Sequence, residues 1–182
     1  LLVWSKNRAC QLDLLLRSIK KHALGLFDVN IIYTYADSNF ASSYHILQKE
    51  DFGFNVRWIL EGNLGTDTRN FINSTNGNIC FSTDDQVFHH KVCKCVLDHL
   101  PRNDNEVFSL RLGLNTLVQD CHAGTYQKPL YNYTNENDKI ISWNNNEYHP
   151  FDNYGYPLAL DTHIFTSSKI QELISYFEFK NT

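Results

Sequence analysis

Three features are missing from this sequence, and each excludes a class of protein. No apolar run approaches the length of a membrane-spanning helix, so we predict no transmembrane segment, and no signal peptide is visible. The chain has no basic surplus, since its formal net charge is −4, which argues against nucleic acid as the main partner. Methionine is absent altogether, and the pattern predicts that Leu1 already lies in a strand. The missing initiator and this abrupt start are what a piece of a longer chain would show.

The cysteines give neither a disulfide framework nor a zinc motif. Five are present, an odd number, and Cys93 and Cys95 are too close together to form an ordinary bridge. No pair has the C-x-x-C spacing that is typical of a zinc site. The simplest interpretation is a reduced, cytoplasmic protein.

The first half of the chain alternates between strand and helix patterns. With 182 residues, 42% of them hydrophobic and 20% charged, it has the composition of one well-cored globular domain spanning residues 1–182. The predicted strands are Leu1–Trp4, Val29–Ala36 and Val56–Leu60. The predicted helices are Ala9–His22 with Asn7 as its N-cap, Asp37 to Lys49, and Thr66–Asn73. Such alternation is typical of an α/β fold, here a three-layer αβα sandwich with a mostly parallel central sheet.

The second half is more polar and richer in aromatic residues. A helix is predicted over Val87–Leu100, and then a strand over Glu106–Leu112 with which Asn115–Val118 could pair. From Asp120 to Tyr156 the composition is that of binding loops, interrupted by a short strand near Ile140. An extended segment over 157–165 and a final helix with Ile170, Leu173, Ile174 and Phe177 on one face complete the chain.

An apolar run that ends in two carboxylates stands out at Ile79–Phe88. Ligands of open α/β sheets bind outside the carboxyl ends of the strands, where Asp84 and Asp85 would lie. Two adjacent carboxylates repel each other, so the pair is useful if a cation lies between it and an anionic ligand. Equally, the pair could cap a following helix, because Asp is a favoured N-cap residue. Both interpretations stay open at this point.

Four segments, taken together, resemble a GT-A-type glycosyltransferase of the nucleotide-diphospho-sugar transferase superfamily, within a small glycosyltransferase-like group. They are Val3–Ser18, Ser82–Asp85, Phe108–Gly113 and Tyr156–Phe165. The resemblance covers nearly the whole chain and rests on the order and spacing of these segments. It implies a nucleotide-binding half over about 1–100 and an acceptor-side half over about 101–182. It also implies a nucleotide-sugar donor and an acceptor that is a glycan, a lipid or a protein.

The resemblance further implies a set of site residues. Nucleotide-binding positions would be Ser5 and Arg8 near the base or phosphates, Asp37 near the base or ribose, and Asp84 facing the ribose. A divalent cation, Mn²⁺ or Mg²⁺, would be held by Asp85 and His163. The acidic motif of the family is usually Asp-x-Asp, whereas Thr83-Asp84-Asp85 lacks the first carboxylate. Such a cation would stabilise the charge that develops on a diphosphate leaving group.

An inverting transferase also needs a general base for the acceptor hydroxyl. The candidates are Asp161, Asp152, Glu147 and His149. Asp161 ranks first because it lies two residues from His163 in a predicted extended segment and would share its face. Asp152 ranks second. A structural Asp at a strand end is an equal alternative for Asp161.

Two other functions compete with glycosyl transfer. A nucleotidyltransferase would use a related sheet, but the loop Ser5–Ala9 lacks the glycines of a phosphate-binding loop. A non-catalytic nucleotide- or carbohydrate-binding member of the fold would explain the missing first carboxylate.

Overall fold

A computed structural model describes residues 1–119, 125–126, 128–137 and 140–176. Its contacts divide the chain into two compact units. The first unit combines Leu1–Phe108 with Ile164–Thr182, and the second is Ser109–His163. The first unit is therefore built from both ends of the sequence.

The fold is α/β, with a mixed central sheet of six strands. In chain order, the strands of this sheet are β1 (Leu2–Lys6), β2 (Val29–Thr34), β3 (Val56–Leu60), β4 (Asn78–Thr83), β5 (Phe108–Ser109) and β10 (His163–Thr166). The helices are α1 (Ala9–His22), α2 (Ser38–Leu47), α3 (Leu64–Ser74) and α4 (Ser167–Ser175). The strand order across the sheet is β3-β2-β1-β4-β10-β5.

The prediction of a mostly parallel sheet is wrong. β1 to β4 are parallel to one another, but β10 runs antiparallel to β4, with Ile164 opposite Cys80. A parallel neighbour requires a crossover connection, usually a helix, that returns the chain to the starting edge. In the described part of the chain, no α-helix lies between β4 and β10, and β10 runs antiparallel to β4. The sheet is therefore mixed.

Helical periodicity predicted α1 with its observed bounds. Leu12, Leu15, Leu16 and Ile19 are all buried, as the spacing requires. The bounds of β3 are also as predicted. β2 and β4 contribute Ile32, Ile79 and Phe81 to a hydrophobic cluster that α4 joins through Ile170 and Ile174. Phe177, predicted on the same face of α4, lies outside the described residues.

The prediction of a helix over Val87–Leu100 is wrong. Only Lys94–His99 is helical, as a short 3-10 segment, and the preceding residues run alongside α1. The amide of Phe88 donates to Ser18 Oγ at 3.0 Å, and the amide of Val92 donates to the His22 carbonyl at 2.8 Å. These amides bond to α1 rather than to carbonyls of a helix of their own.

The second unit contains two small antiparallel pairs. They are β6 (Val118–Gln119) with β7 (Thr125–Tyr126), and β8 (Thr134–Asn137) with β9 (Ile140–Ser142). Because β6 pairs with β7, the predicted pairing of 115–118 with the strand near Phe108 is wrong, and that strand is only two residues long.

Aromatic residues form the core of this second unit. Leu130, Tyr148 and Tyr154 are buried together, and Trp143 packs against them. Its indole Nε1 donates to the Tyr154 carbonyl at 2.9 Å. A Cβ at Gly155 would overlap the carbonyl of His149, so this turn requires glycine.

Candidate functional site

The carboxyl ends of β1 and β4 meet at the switch point of the sheet. β2 and β3 lie on one side of β1, and β4 lies on the other. Where the strand order reverses in this way, the loops leave the sheet in opposite directions and open a crevice. Trp4 is opposite Thr83 in the register, so the residues after each strand emerge at the same edge.

Arg8 bridges the two carboxylates of the acidic strand tip. Its Nη1 lies 3.3 Å from Asp84 Oδ1 and 3.0 Å from Asp85 Oδ2. The Asp84 side chain is only 5% exposed, whereas that of Asp85 is 53% exposed. The structure thus brings together three of the predicted site residues, and it leaves one buried carboxylate and one open to ligands.

Thr83 orients the exposed carboxylate. Its Oγ1 donates to Asp85 Oδ1 at 2.7 Å. This hydrogen bond, followed by that from Arg8, holds the pKa of Asp85 below its ordinary value. The hydrogen bonds to Asp84 and Asp85 raise the pKa of Arg8. Thr83 therefore acts on Asp85 as a hydrogen-bond donor.

The formal charges of this cluster do not cancel. Two carboxylates and one guanidinium sum to one negative charge, so an anionic diphosphate approaching the cluster would be repelled. A bound divalent cation would reverse the sign. A cation bound at this edge would therefore favour the binding of a diphosphate there.

The loop after β1 is fixed by Tyr44 of α2, which sequence reasoning missed. The phenol oxygen lies 2.6 Å from Ser5 Oγ and accepts from the Arg8 amide at 3.1 Å. Ser5, a predicted nucleotide-binding residue, is buried in this contact. A tyrosine inside a predicted helix indicates only a packing position, so nothing in the sequence pointed to the hydroxyl.

Asn7 is not the N-cap of α1, contrary to prediction. Arg8 occupies the cap position without a side-chain cap bond. Asn7 instead adopts a left-handed conformation with φ of 61°, which Asn tolerates better than most residues. Its side chain accepts from the Ala36 amide at 2.7 Å and its amide donates to the Thr34 carbonyl at 3.2 Å. The ends of β1 and β2 are thereby joined.

Asp37 follows β2 at the same edge of the sheet. It is the N-cap of α2, as predicted, and its Oδ1 accepts from the amides of Asn39 and Phe40. Asp37 is exposed to solvent. Capping accounts for one carboxylate oxygen, and contact with a base or ribose stays a prediction.

The remaining candidates belong to the second unit. Asp161 Oδ2 lies 3.9 Å from Arg111 Nη1, and Asp152 is buried at the start of the short 3-10 segment Asn153–Gly155. The premise that Asp161 and His163 share a face of an extended segment is wrong. Thr162 between them has φ of 58°, which breaks the alternation of a strand.

His163 is buried with a defined tautomer. Its Nδ1 lies 3.0 Å from the Pro157 carbonyl, and because a carbonyl only accepts, Nδ1 carries the proton. The neutral ring then presents its lone pair at Nε2, as a metal-binding histidine must. Burial lowers the pKa of this imidazole, which favours that neutral form.

The donor set fits a weakly coordinated oxygen-seeking cation. Among the described residues, no three His, Cys, Asp or Glu side chains come together as a metal-binding group. Mg²⁺ and similar ions commonly bind through one or two carboxylates and complete their shell with waters and substrate phosphates. Asp85, exposed and oriented by Thr83, suits this role.

No protein-family model, no curated protein and no solved structure matches the chain. In the described part of the chain, every helix is too short or too polar to cross a membrane. The resemblance to the GT-A superfamily stays a prediction from the four sequence segments.

Proposed function

We propose that the protein is a nucleotide-sugar-dependent glycosyltransferase with a three-layer GT-A arrangement. The observation that carries the proposal is the Arg8–Asp84–Asp85 cluster at the carboxyl edge of β1 and β4. A guanidinium and an oriented carboxylate at a switch point supply the two kinds of group that a diphosphate ester requires, a bidentate donor and a cation ligand.

Asp85 would hold a Mn²⁺ or Mg²⁺ ion. His163 belongs to the second unit and stays the further ligand that the resemblance implies. When bound, such an ion supplies positive charge that stabilises the departing diphosphate. Arg8 would turn from the carboxylates to phosphate oxygens, because a diphosphate offers it two acceptors side by side. Asp37 would receive hydrogen bonds from the base or ribose, whereas the ribose contact that the resemblance implies for Asp84 would require its side chain, only 5% exposed, to become accessible.

The acceptor hydroxyl must lose a proton in an inverting reaction. Asp161 is the first candidate base, and its Oδ2 lies 3.9 Å from Arg111 Nη1. Asp152 is the second candidate, although its burial leaves little room for an acceptor. The acceptor would be a glycan, a lipid or a protein.

Calorimetric titration with UDP and with GDP, each with and without Mn²⁺, tests the proposal. We expect binding of one nucleotide that is at least tenfold tighter with the ion present, because the cluster carries a net negative charge. Asp85→Asn should abolish this gain. Asp98→Asn, an exposed carboxylate in the 3-10 segment, is the matched control and should retain it. Absence of nucleoside diphosphate binding in every condition would refute the proposal.

A non-catalytic nucleotide-binding protein is the second candidate. It is favoured by the two Arg8 contacts, since a guanidinium already neutralises part of the acidic tip. In that case nucleotide would bind equally well with and without the cation, and donor-sugar hydrolysis would not be detected for the wild-type chain.

A further inference from the structure

Basic side chains from two separate segments meet at the C-terminal end of α1. The group, here called the basic patch, consists of Lys21, His22, His89, His90, Lys91 and Lys94. The Val92 amide joins the two segments by donating to the His22 carbonyl at 2.8 Å. The Lys94 Nζ lies 3.6 Å from the position that a Cβ at Gly25 would occupy. All of these residues belong to the first unit.

Helix stabilisation explains only part of this patch. Lys20, Lys21 and His22 occupy the last turn of α1, where cations interact favourably with the helix dipole. The residues 89–94 belong to no α-helix, and Lys94 opens a 3-10 segment, an end at which the dipole disfavours a cation. Their positive charge therefore needs another explanation.

The charge of the patch is not neutralised within the described residues. Lys21, Lys91 and Lys94 form no ion pair there, and all three are exposed. The rings of His89 and His90 are 4.4 Å apart. Burial, and then the charges of Lys21, His90 and His89, lower the pKa of His22. A concentrated positive region thus exists on a chain whose net charge is −4.

Two exposed leucines accompany the lysines. Leu24 is 49% exposed beside Gly25, and Leu97 is 45% exposed. Residues three apart eclipse each other in a 3-10 helix, so Leu97 lies on the same side as Lys94. Exposed aliphatic side chains among cations suit the boundary between lipid headgroups and acyl chains. Single-stranded nucleic acid would instead call for aromatic stacking surfaces.

We propose that the basic patch, with Leu24 and Leu97, docks the protein reversibly on membranes that contain anionic phospholipids. The lysines attract the headgroups and the leucines enter the interface. α1 has 14 residues and is about 20 Å long, and Arg8 precedes its other end. Docking therefore leaves the acidic cluster free, and the inference does not depend on the proposed enzymatic function.

Co-sedimentation of the purified chain with vesicles tests the surface. We expect binding to phosphatidylcholine vesicles that contain phosphatidylserine, little binding to phosphatidylcholine alone, and weakening by added salt. Lys91→Gln with Lys94→Gln should reduce the partition coefficient by more than tenfold, since each basic residue contributes roughly fivefold. Arg57→Gln with Lys169→Gln removes the same charge from β3 and α4 and should have little effect.

A second pair of variants separates the apolar contribution from the charge. Leu24→Ser with Leu97→Ser should weaken binding to phosphatidylserine vesicles and leave its dependence on salt unchanged. Thermal unfolding of each variant checks its fold, and the single lysine variants replace the double variant if it unfolds. Absence of vesicle binding at low salt, an equal loss in both charge pairs, or binding to heparin without binding to vesicles would overturn the inference.

Discussion

At the scale of single residues, the site depends on groups that sequence patterns do not reveal. Arg8 and the acidic pair are visible as charged residues after strands, and the structure brings them within 3.3 Å of one another. Thr83 and Tyr44 orient these charged residues, but no sequence pattern identifies either of them as a site residue. A hydroxyl on a buried helix face is indistinguishable by periodicity from a phenylalanine ring.

Tyr44→Phe tests the role of that hydroxyl. The phenol is buried and bonds both Ser5 Oγ and the Arg8 amide, so its removal takes away two hydrogen bonds and leaves the part-buried Arg8 amide without this acceptor. We expect a loss of about 1–3 kcal/mol in the free energy of unfolding. Urea denaturation measures it. Tyr35→Phe, on an exposed residue at the end of β2, should change the same quantity by less than about 0.5 kcal/mol.

At the scale of elements, sequence periodicity predicted the bounds of those helices and strands that depend on neighbouring residues alone. α1 and β3 have their predicted bounds because alternation and helical spacing already define which face is buried. The helix predicted after β4 does not form, because the Phe88 amide of this segment bonds to α1, 70 residues away in sequence. The prediction of a mostly parallel sheet was wrong for a related reason. β10 pairs with β4 after an intervening unit of the chain, and such long-range pairing leaves no local pattern in the sequence.

Ser18→Ala tests how the segment after β4 is held. The Ser18 hydroxyl is buried, donates to the Leu15 carbonyl and accepts from the Phe88 amide at 3.0 Å. We expect a loss of about 1–3 kcal/mol, since the amide is left unsatisfied in a buried position. Hydrogen exchange should show faster exchange at Phe88. Ser42→Ala is the matched control. The Ser42 hydroxyl is exposed and donates to the Ser38 carbonyl within α2, so this variant should leave the Phe88 amide protected.

At the scale of the whole molecule, acidification should weaken the fold before the carboxylates titrate. The pKa values of His163 and His22 both lie below the ordinary 6.5, in each case chiefly because burial penalises the charged ring. The unfolded chain therefore takes up these protons at a higher pH than the folded chain does. Stability is complete above about pH 6.5 and falls as the pH drops below it.

Chemical denaturation at a series of pH values measures this fall. His163→Gln should reduce this loss of stability at low pH, because one of the two histidines with a lowered pKa is then absent. His45→Gln, an exposed residue of α2, leaves both groups in place and should retain the fall. A wild-type stability that does not change between pH 7 and pH 5 would contradict the assignment.

The first unit is assembled from the two ends of the sequence, and this has a consequence for its biosynthesis. β4 acquires its neighbour β10 only after residues 163–166 have been made, so a partly synthesised chain exposes the backbone of β4 as an unpaired edge. The strand that carries the acidic tip is then an edge at which other chains can associate. A ribosome that pauses within the second unit would hold the nascent chain in this vulnerable state, and a chaperone that shields the edge would matter most during that interval.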